Sequence, residues 1–468
     1  MKKKFSFLVG LLLLSNLYAQ TKLPNSISRT EKIYGLSKFW NEVNFNFAYL
    51  NKIDKQKWDF DYKKLIEEVQ NTKNDYEYYL LLQKFAASLK DGHTSIEFPS
   101  TISTFLINAE FGATKFVLKN IEGKAIITQI NQSKRKKLPL GTEIIEVNGI
   151  PTNQYLNQFI KPYISSNTEN LLDALAVSFL FHKPKGTTFN VRFKTPKGKT
   201  FFQKLTLMPA TEKAMHKRSN DEGVFSFKWL KNQTAYVSLN SFGDGKIYSL
   251  FLEKLPEIKK AKQLIIDLRK NLGGNSTYAH AILKHLTYDN EINTAKSLIL
   301  DYNPLFEHYG EYYSIKAKDT LQGSAENRKM LSRAYLTAKD SYFYKIPFHT
   351  IENSIPKQDR IVIPTAILTS NLTASSAEDF LVATDNQKHM IRVGEASAGT
   401  TGMPMSFILP GNGSAKICIK KEIYSDGREF VGYGIQPNIK VKTTHKDYIE
   451  NKDSVLLEAI KHLNENKL

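Results

Sequence analysis

The sequence predicts an α/β core around a partly parallel sheet, preceded by an N-terminal helical bundle and a mostly-β domain. Three observations predict it. Near-continuous apolar strands alternate with helices over 222–440, as sheets covered on both faces require. Short β-rich runs separated by glycine and proline fill 106–207. Aromatic and aliphatic residues recur at helical spacing over 30–90.

The chain has 468 residues, too many for one ordinary core, so two or three domains are expected. With 41% hydrophobic residues, 23 Tyr and 28 Phe it is a globular sequence rather than a disordered or fibrous one. Its single cysteine, Cys418, excludes an intramolecular disulfide framework and any all-cysteine metal site. The formal charge of +19 comes from scattered lysines. The densest run, Lys134, Arg135, Lys136 and Lys137, lacks zinc-finger spacing and reads as a solvated loop, so no nucleic-acid partner is expected.

The elements follow in order. Lys2, Lys3 and Lys4, the apolar stretch Phe5 to Leu14 and Ala19 before Gln20 read as a signal peptide over 1–19. No later window runs 18 apolar residues without charge. The mature chain is therefore expected to be exported, to periplasm or exterior, and not to insert in the membrane. An N-terminal helical domain is assigned to 25–105, with Tyr34, Leu36, Phe39 and Trp40, then Asp59 to Val69 and Asp75 to Leu89, as amphipathic helices. It ends in the polar turn Lys90-Asp91-Gly92-His93-Thr94 and a short strand, Ser95 to Phe98. A β domain is assigned to 106–210, interrupted by a helix over Asn167 to Phe181. The α/β core is assigned to 211–445, with a tyrosine-rich insertion at 300–355 and a C-terminal helix or tail at 446–468. Its strands are Ala235–Leu239, Gln263–Leu268, Ile361–Leu368 and Met390–Val393.

Three local patterns suggest chemistry. In the segment Leu368 to Phe380 a buried strand meets a turn of small residues, then a helix that starts with Ser375 and Ser376. A serine there can be a nucleophile whose neighbour's N–H receives an oxyanion. It can equally cap the helix, with Glu378 completing a capping box. In Asp267-Leu268-Arg269-Lys270-Asn271-Leu272-Gly273-Gly274 a strand end brings bare backbone N–H groups to the carboxyl edge of the sheet. This suits half an oxyanion hole, a phosphate cradle, or a plain tight turn; it lacks the P-loop and dinucleotide patterns. His93, one of ten histidines, suits a general base. No metal-binding spacing is present, so no metal is assigned.

Together these motifs resemble peptidase family S41, the tail-specific or carboxyl-terminal processing protease superfamily. The likeness is nearest to the tricorn-core-like and interphotoreceptor-retinoid-binding-protein-like members. It rests on Asp91-Gly92-His93-Thr94, on Ile266 to Gly274, on Thr373 to Phe380, on Gly394-Glu395 and on Gly434 to Asn438. The resemblance implies a ClpP/crotonase-like catalytic core, and a PDZ-like domain carried by Gly141 to Gly149. It also implies a polypeptide substrate and no cofactor. Carried over, Ser375 is the nucleophile, with Ser376 as the runner-up, and His93 the base. Gly273 and Ser376 form the oxyanion hole, while Arg269 and Gly274 support the turn. The chain departs from the family pattern at Gly92, where one branch has a serine. Thr400 stands at the lysine position of the other branch, and Val431 at a glutamate position. The carboxylate that orients His93 is thus open among Glu429, Glu395 and Asp91. These departures leave a catalytically inactive, S41-like binding protein for peptide or hydrophobic ligand as the alternative.

Overall fold

The computed structural model describes residues 23–218, 223–347 and 350–465; the signal-peptide assignment lies outside them. Helices Arg29–Asn46, Lys55–Gln70 and Asp75–Ala87 form the N-terminal bundle. Each begins where a short polar side chain receives an orphan N–H of the first turn: Ser28 from Glu31, Asp54 from Lys57, Asn74 from Glu77. The bundle shares its apolar interior with the core, since Leu36, Phe39, Val43 and Phe85 belong to one cluster with Leu409, Ala415 and Ile417. Strand Ser95–Glu97 continues this joint, pairing antiparallel with Ser414–Cys418.

The β domain has its own core of Phe116, Ile127, Ile144, Val191 and Phe193. Its strands Thr114–Ile121, Lys124–Asn131, Glu143–Val147, Thr188–Lys194 and Thr200–Thr206 form an antiparallel sheet. The helix expected over 167–181 spans Glu169–Ser178, and a second helix, Thr152–Phe159, accompanies it.

The central sheet has the order Phe225–Trp229, Thr234–Leu239, Gln263–Asp267, Thr365–Thr369, Met390–Gly394, Ile439–Lys440. The first pair is antiparallel and every later pair parallel. The strand expected from Ile361 starts at Thr365; Pro364 before it offers no ladder N–H. Helices Lys246–Ile258, Ser276–Lys284 and Ser376–Ala383 bury one face. The other face is covered by helix Ser454–Glu465, through Val455, Ala459 and Leu463. The C-terminal segment is therefore a layer of the core rather than a tail. The insertion contains a packed helix pair, Pro304–Tyr312 and Ala325–Thr337. Among the described residues no helix is long and apolar enough to cross a membrane.

Candidate active site

Parallel strands Gln263–Asp267 and Thr365–Thr369 lie side by side, so the turns that leave their carboxyl ends meet. Hydrogen bonds stitch the turns together. Ser370 Oγ donates to the Arg269 carbonyl at 2.7 Å, Thr373 Oγ1 to that of Leu268 at 3.0 Å, and the Ala374 N–H to that of Asn271 at 3.0 Å. The small and hydroxylated residues of 370–374 serve this stitching.

Ser375 stands at the apex. Its backbone has φ 54° and ψ −126°, a left-handed conformation that a non-glycine residue adopts at a cost of about 1–3 kcal/mol. Its side chain makes no capping bond to the helix, so the capping-box reading is not what the fold builds. The half-buried hydroxyl is left for other work. The Ser375 N–H donates to the Thr400 carbonyl at 3.0 Å. Glu378, fully buried, turns away from the helix start. It accepts from Ser397 Oγ at 2.5 Å, Gly399 N–H at 2.7 Å, Thr400 N–H at 2.8 Å and Thr401 Oγ1 at 3.0 Å. Burial pushes its carboxyl up, and these four donors pull it back in part.

Ser376 is buried and its hydroxyl has no hydrogen-bond partner, so it has no route to a substrate. As the first helical residue it instead holds an N–H outside the helix ladder. Gly273 lies against the serine turn: a Cβ on it would stand 2.6 Å from Ser375 Cβ and 3.1 Å from the Ser376 nitrogen. Its φ of 100° also calls for glycine. Its own N–H, expected to face an oxyanion, donates to Asn271 Oδ1 at 2.8 Å. The side chain two residues back competes for it, and pattern reading missed this. Gly274, with φ 142°, lets the turn press on Phe242, whose carbonyl carbon a Cβ would meet at 2.1 Å. Arg269 pairs with Asp267 at 2.6 Å and Asp453 at 2.8 Å, tying the strand end to the segment before the C-terminal helix.

His93 arrives from the N-terminal part on the turn before strand Ser95–Glu97. Its Nδ1 lies 3.0 Å from Thr400 Oγ1. Burial lowers its proton affinity; Asp91 and Glu422 oppose this, and Lys420 adds to it. Asp91 is buried, with Oδ2 accepting from Thr94 Oγ1 at 2.6 Å and Oδ1 from Asn167 Nδ2 at 3.1 Å. Asn167 also accepts the Gly92 N–H at 2.6 Å, so the β domain grips the histidine turn. The neighbouring Thr168 hydroxyl reaches the Ala398 carbonyl at 2.9 Å, gripping the loop before Thr400 as well.

Of the three carboxylates expected to orient the histidine, none bonds its ring. Glu429 is held by Lys421 and, at 3.4 Å, by Lys52. Glu395 lies 4.0 Å from Lys442, and burial raises its carboxyl. Asp91 acts on His93 through its charge alone. The residue in contact, Thr400, carried a sequence signal only as a departure at a lysine position. Val431 is buried in the core cluster. Cys418 is buried in the strand that pairs with Ser95–Glu97, its N–H donating to Thr94 Oγ1 at 3.1 Å. Among the described residues no group of three or more His, Cys, Asp or Glu could hold a metal.

A core of parallel strands with a serine at a strand–turn–helix apex, preceded by a separate β domain, defines a class of peptidase. Residues 233–441 match peptidase family S41 and residues 114–222 match a PDZ domain. Over that core the chain is similar to peptidase family S41, a family of serine peptidases. Among solved structures, mature CPAF superposes with a TM-score of 0.67 at 16% identity, covering 94% of this chain and 99% of that one. CPAF complexed with lactacystin superposes with a TM-score of 0.66 at 15% identity, over 94% and 99% of the two chains. A putative peptidase from Parabacteroides merdae matches at 0.50 and 17% identity, over 93% and 96%. At these identities the likeness is one of fold. A search of curated proteins finds no match to this chain.

Proposed function

We propose that the protein is an exported serine endopeptidase that cleaves polypeptides through an acyl-enzyme, with Ser375 as nucleophile and His93 as general base. The observation that carries this reading is the placement of Ser375. It stands in a strained left-handed conformation, hydroxyl uncommitted to the helix, with its N–H bonded to the residue whose side chain meets His93. Strain of this kind is retained where a turn presents a side chain.

In the reaction Ser375 Oγ bonds to the scissile carbonyl carbon while its proton passes to His93 Nε2. The Ser376 N–H stabilises the oxyanion, and the second donor comes from the Gly273–Gly274 turn once its N–H groups face the substrate. The C–N bond then breaks as His93 returns the proton to the leaving amine. Water, deprotonated by His93, attacks the ester carbonyl, and as the C–Oγ bond breaks His93 returns the proton to Ser375 Oγ. No step calls for a metal or an organic cofactor. The signal-peptide pattern supports export.

The test is cleavage of a denatured-protein library by the mature protein, read by mass spectrometry beside Ser375→Ala and His93→Ala. Cuts that vanish in both folded variants support the reading and give the specificity. Cuts that survive Ser375→Ala remove the nucleophile assignment. An inert wild type from pH 5 to 9 favours the binding-protein alternative, to which the missing carboxylate on His93 and the occupied Gly273 N–H already lend weight.

A further inference from the structure

We propose that Thr400 is the positioning residue that orients His93, its hydroxyl accepting from an Nδ1-protonated ring, and that position 92 is glycine to admit that hydroxyl. This rests on the reading of His93 as the base for Ser375.

A catalytic imidazole needs a partner on one nitrogen, so that the proton stays there and the lone pair of the other faces the nucleophile. Here the partner of Nδ1 is the Thr400 hydroxyl at 3.0 Å. The nearby carboxylates are committed elsewhere. Asp91 is taken by Thr94 and Asn167, Glu422 by Lys420 at 2.5 Å, and Glu429 by Lys52 and Lys421. Thr400 is itself fixed from both sides of its backbone. Its N–H is bonded to the buried Glu378, and its carbonyl receives the Ser375 N–H. One residue thus fixes the histidine relative to the nucleophile.

Gly92 provides independent support. Its φ lies outside the left-handed region, so conformation does not demand glycine there. Space does. A Cβ at position 92 would lie 2.6 Å from Thr400 Oγ1 and 3.0 Å from Asn167 Oδ1. Gly92 thus leaves free the volume that the Thr400 hydroxyl fills. In the assigned arrangement the Nδ1–H donates to Thr400 Oγ1 and the Nε2 lone pair accepts the proton of Ser375. A hydroxyl orients the ring without adding a full charge. The charges acting on the ring are those of Asp91 and Glu422, which favour the imidazolium, and Lys420, which opposes it.

The experiment compares Thr400→Val, Thr400→Ser and Gly92→Ala in the mature protein. Three readouts are taken: peptide kcat and KM against pH, the rate of Ser375 labelling by a fluorophosphonate, and the imidazole nitrogen shifts of His93, assigned with His93→Gln. Thr400→Val is expected to lower kcat and labelling about 10–100-fold with KM little changed, and to populate both His93 tautomers. Thr400→Ser should stay within about threefold of wild type, because the hydroxyl returns. Gly92→Ala should behave like Thr400→Val. Wild-type kcat and an unchanged Nδ1-protonated His93 in Thr400→Val would overturn the inference. If that variant does not fold, an active Gly92→Ala overturns it, and an impaired Gly92→Ala beside an active Thr400→Ser upholds it. A wild type that neither cleaves nor labels removes the nucleophile reading instead. The nitrogen shifts then decide Thr400 alone, an unchanged tautomer in Thr400→Val refuting it.

Discussion

The backbone N–H of Ser375 donates to the carbonyl of Thr400 at 3.0 Å, across 25 residues of chain. Through that bond the loop after strand Met390–Gly394 holds the serine turn in its left-handed conformation.

Removing the proposed nucleophile tests the apex first. Ser375→Ala should lower peptide cleavage about a thousandfold or more and abolish fluorophosphonate labelling. Ser376→Ala, one residue on, should leave chemistry within a few-fold, because its hydroxyl is buried and unpartnered and only its N–H is used. It should also be neutral or slightly stabilising in urea unfolding, since it removes an unsatisfied polar atom.

The acid limb of activity reports His93. In the proposed mechanism His93 works neutral, and burial lowers its proton affinity below the ordinary value of 6.5, against partial opposition from Asp91 and Glu422. The fall of kcat/KM on acidification should therefore have its midpoint below 6.5. A midpoint above 6.5, or a flat profile from pH 5 to 9, would count against this environment.

Asp379 and Glu422 predict a second pH effect, on stability. Asp379 is buried, with Oδ2 accepting from Ser276 at 2.5 Å, and its carboxyl shares a side-chain hydrogen bond with the buried Glu422. Burial, then the charge of Glu422, hold the Asp379 carboxyl well above its ordinary range, so it folds protonated. A carboxyl raised in the folded state contributes stability that is full below its unfolded value, about 3.9, and is lost as pH rises through the folded value. Wild type should lose up to about 1.4 kcal/mol per pH unit across that window from this group, and Asp379→Asn should not. Urea unfolding from pH 4.5 to 9 measures the difference; parallel curves would contradict it.

Glu378 anchors the loop that carries Thr400. Glu378→Ala leaves four buried donors without an acceptor and should cost about 3 kcal/mol or more. Glu378→Gln should cost less. Peptide turnover should fall in both, since Thr400 loses its anchor. Thermal unfolding beside peptide turnover measures the two effects together, and a fully active, stable Glu378→Ala would show that the loop holds itself.

Much of the fold was legible before the structure. The strands at Ala235 and Gln263 and the helix from Ser276 are local patterns, alternating or continuous apolar runs punctuated by glycine, and they stand where the pattern puts them. Helix Thr152–Phe159 leaves little signal in the sequence; it follows directly on Pro151 and buries only Thr152, Tyr155 and Leu156. The nucleophile and capping readings at Ser375 could not be separated in the sequence, because either uses the same residues at the same spacing. The structure removes the capping reading, since the Ser375 side chain makes no cap bond, and the φ of Ser375 is set beside contacts with Thr400 and Gly273.

The sequence by itself determined which residues form the elements, their order, and the small-residue and glycine turns that end two parallel strands at one edge. Those properties follow from hydrophobic period and backbone sterics, which act over a few residues. Only the tertiary structure decided which group meets His93. Thr400 reaches it from 307 positions away, while Asp91, two residues from it in sequence, spends its oxygens on Thr94 and Asn167. A hydrogen bond is won by the partner that packing brings within 3 Å or so, and proximity along the chain carries no such information.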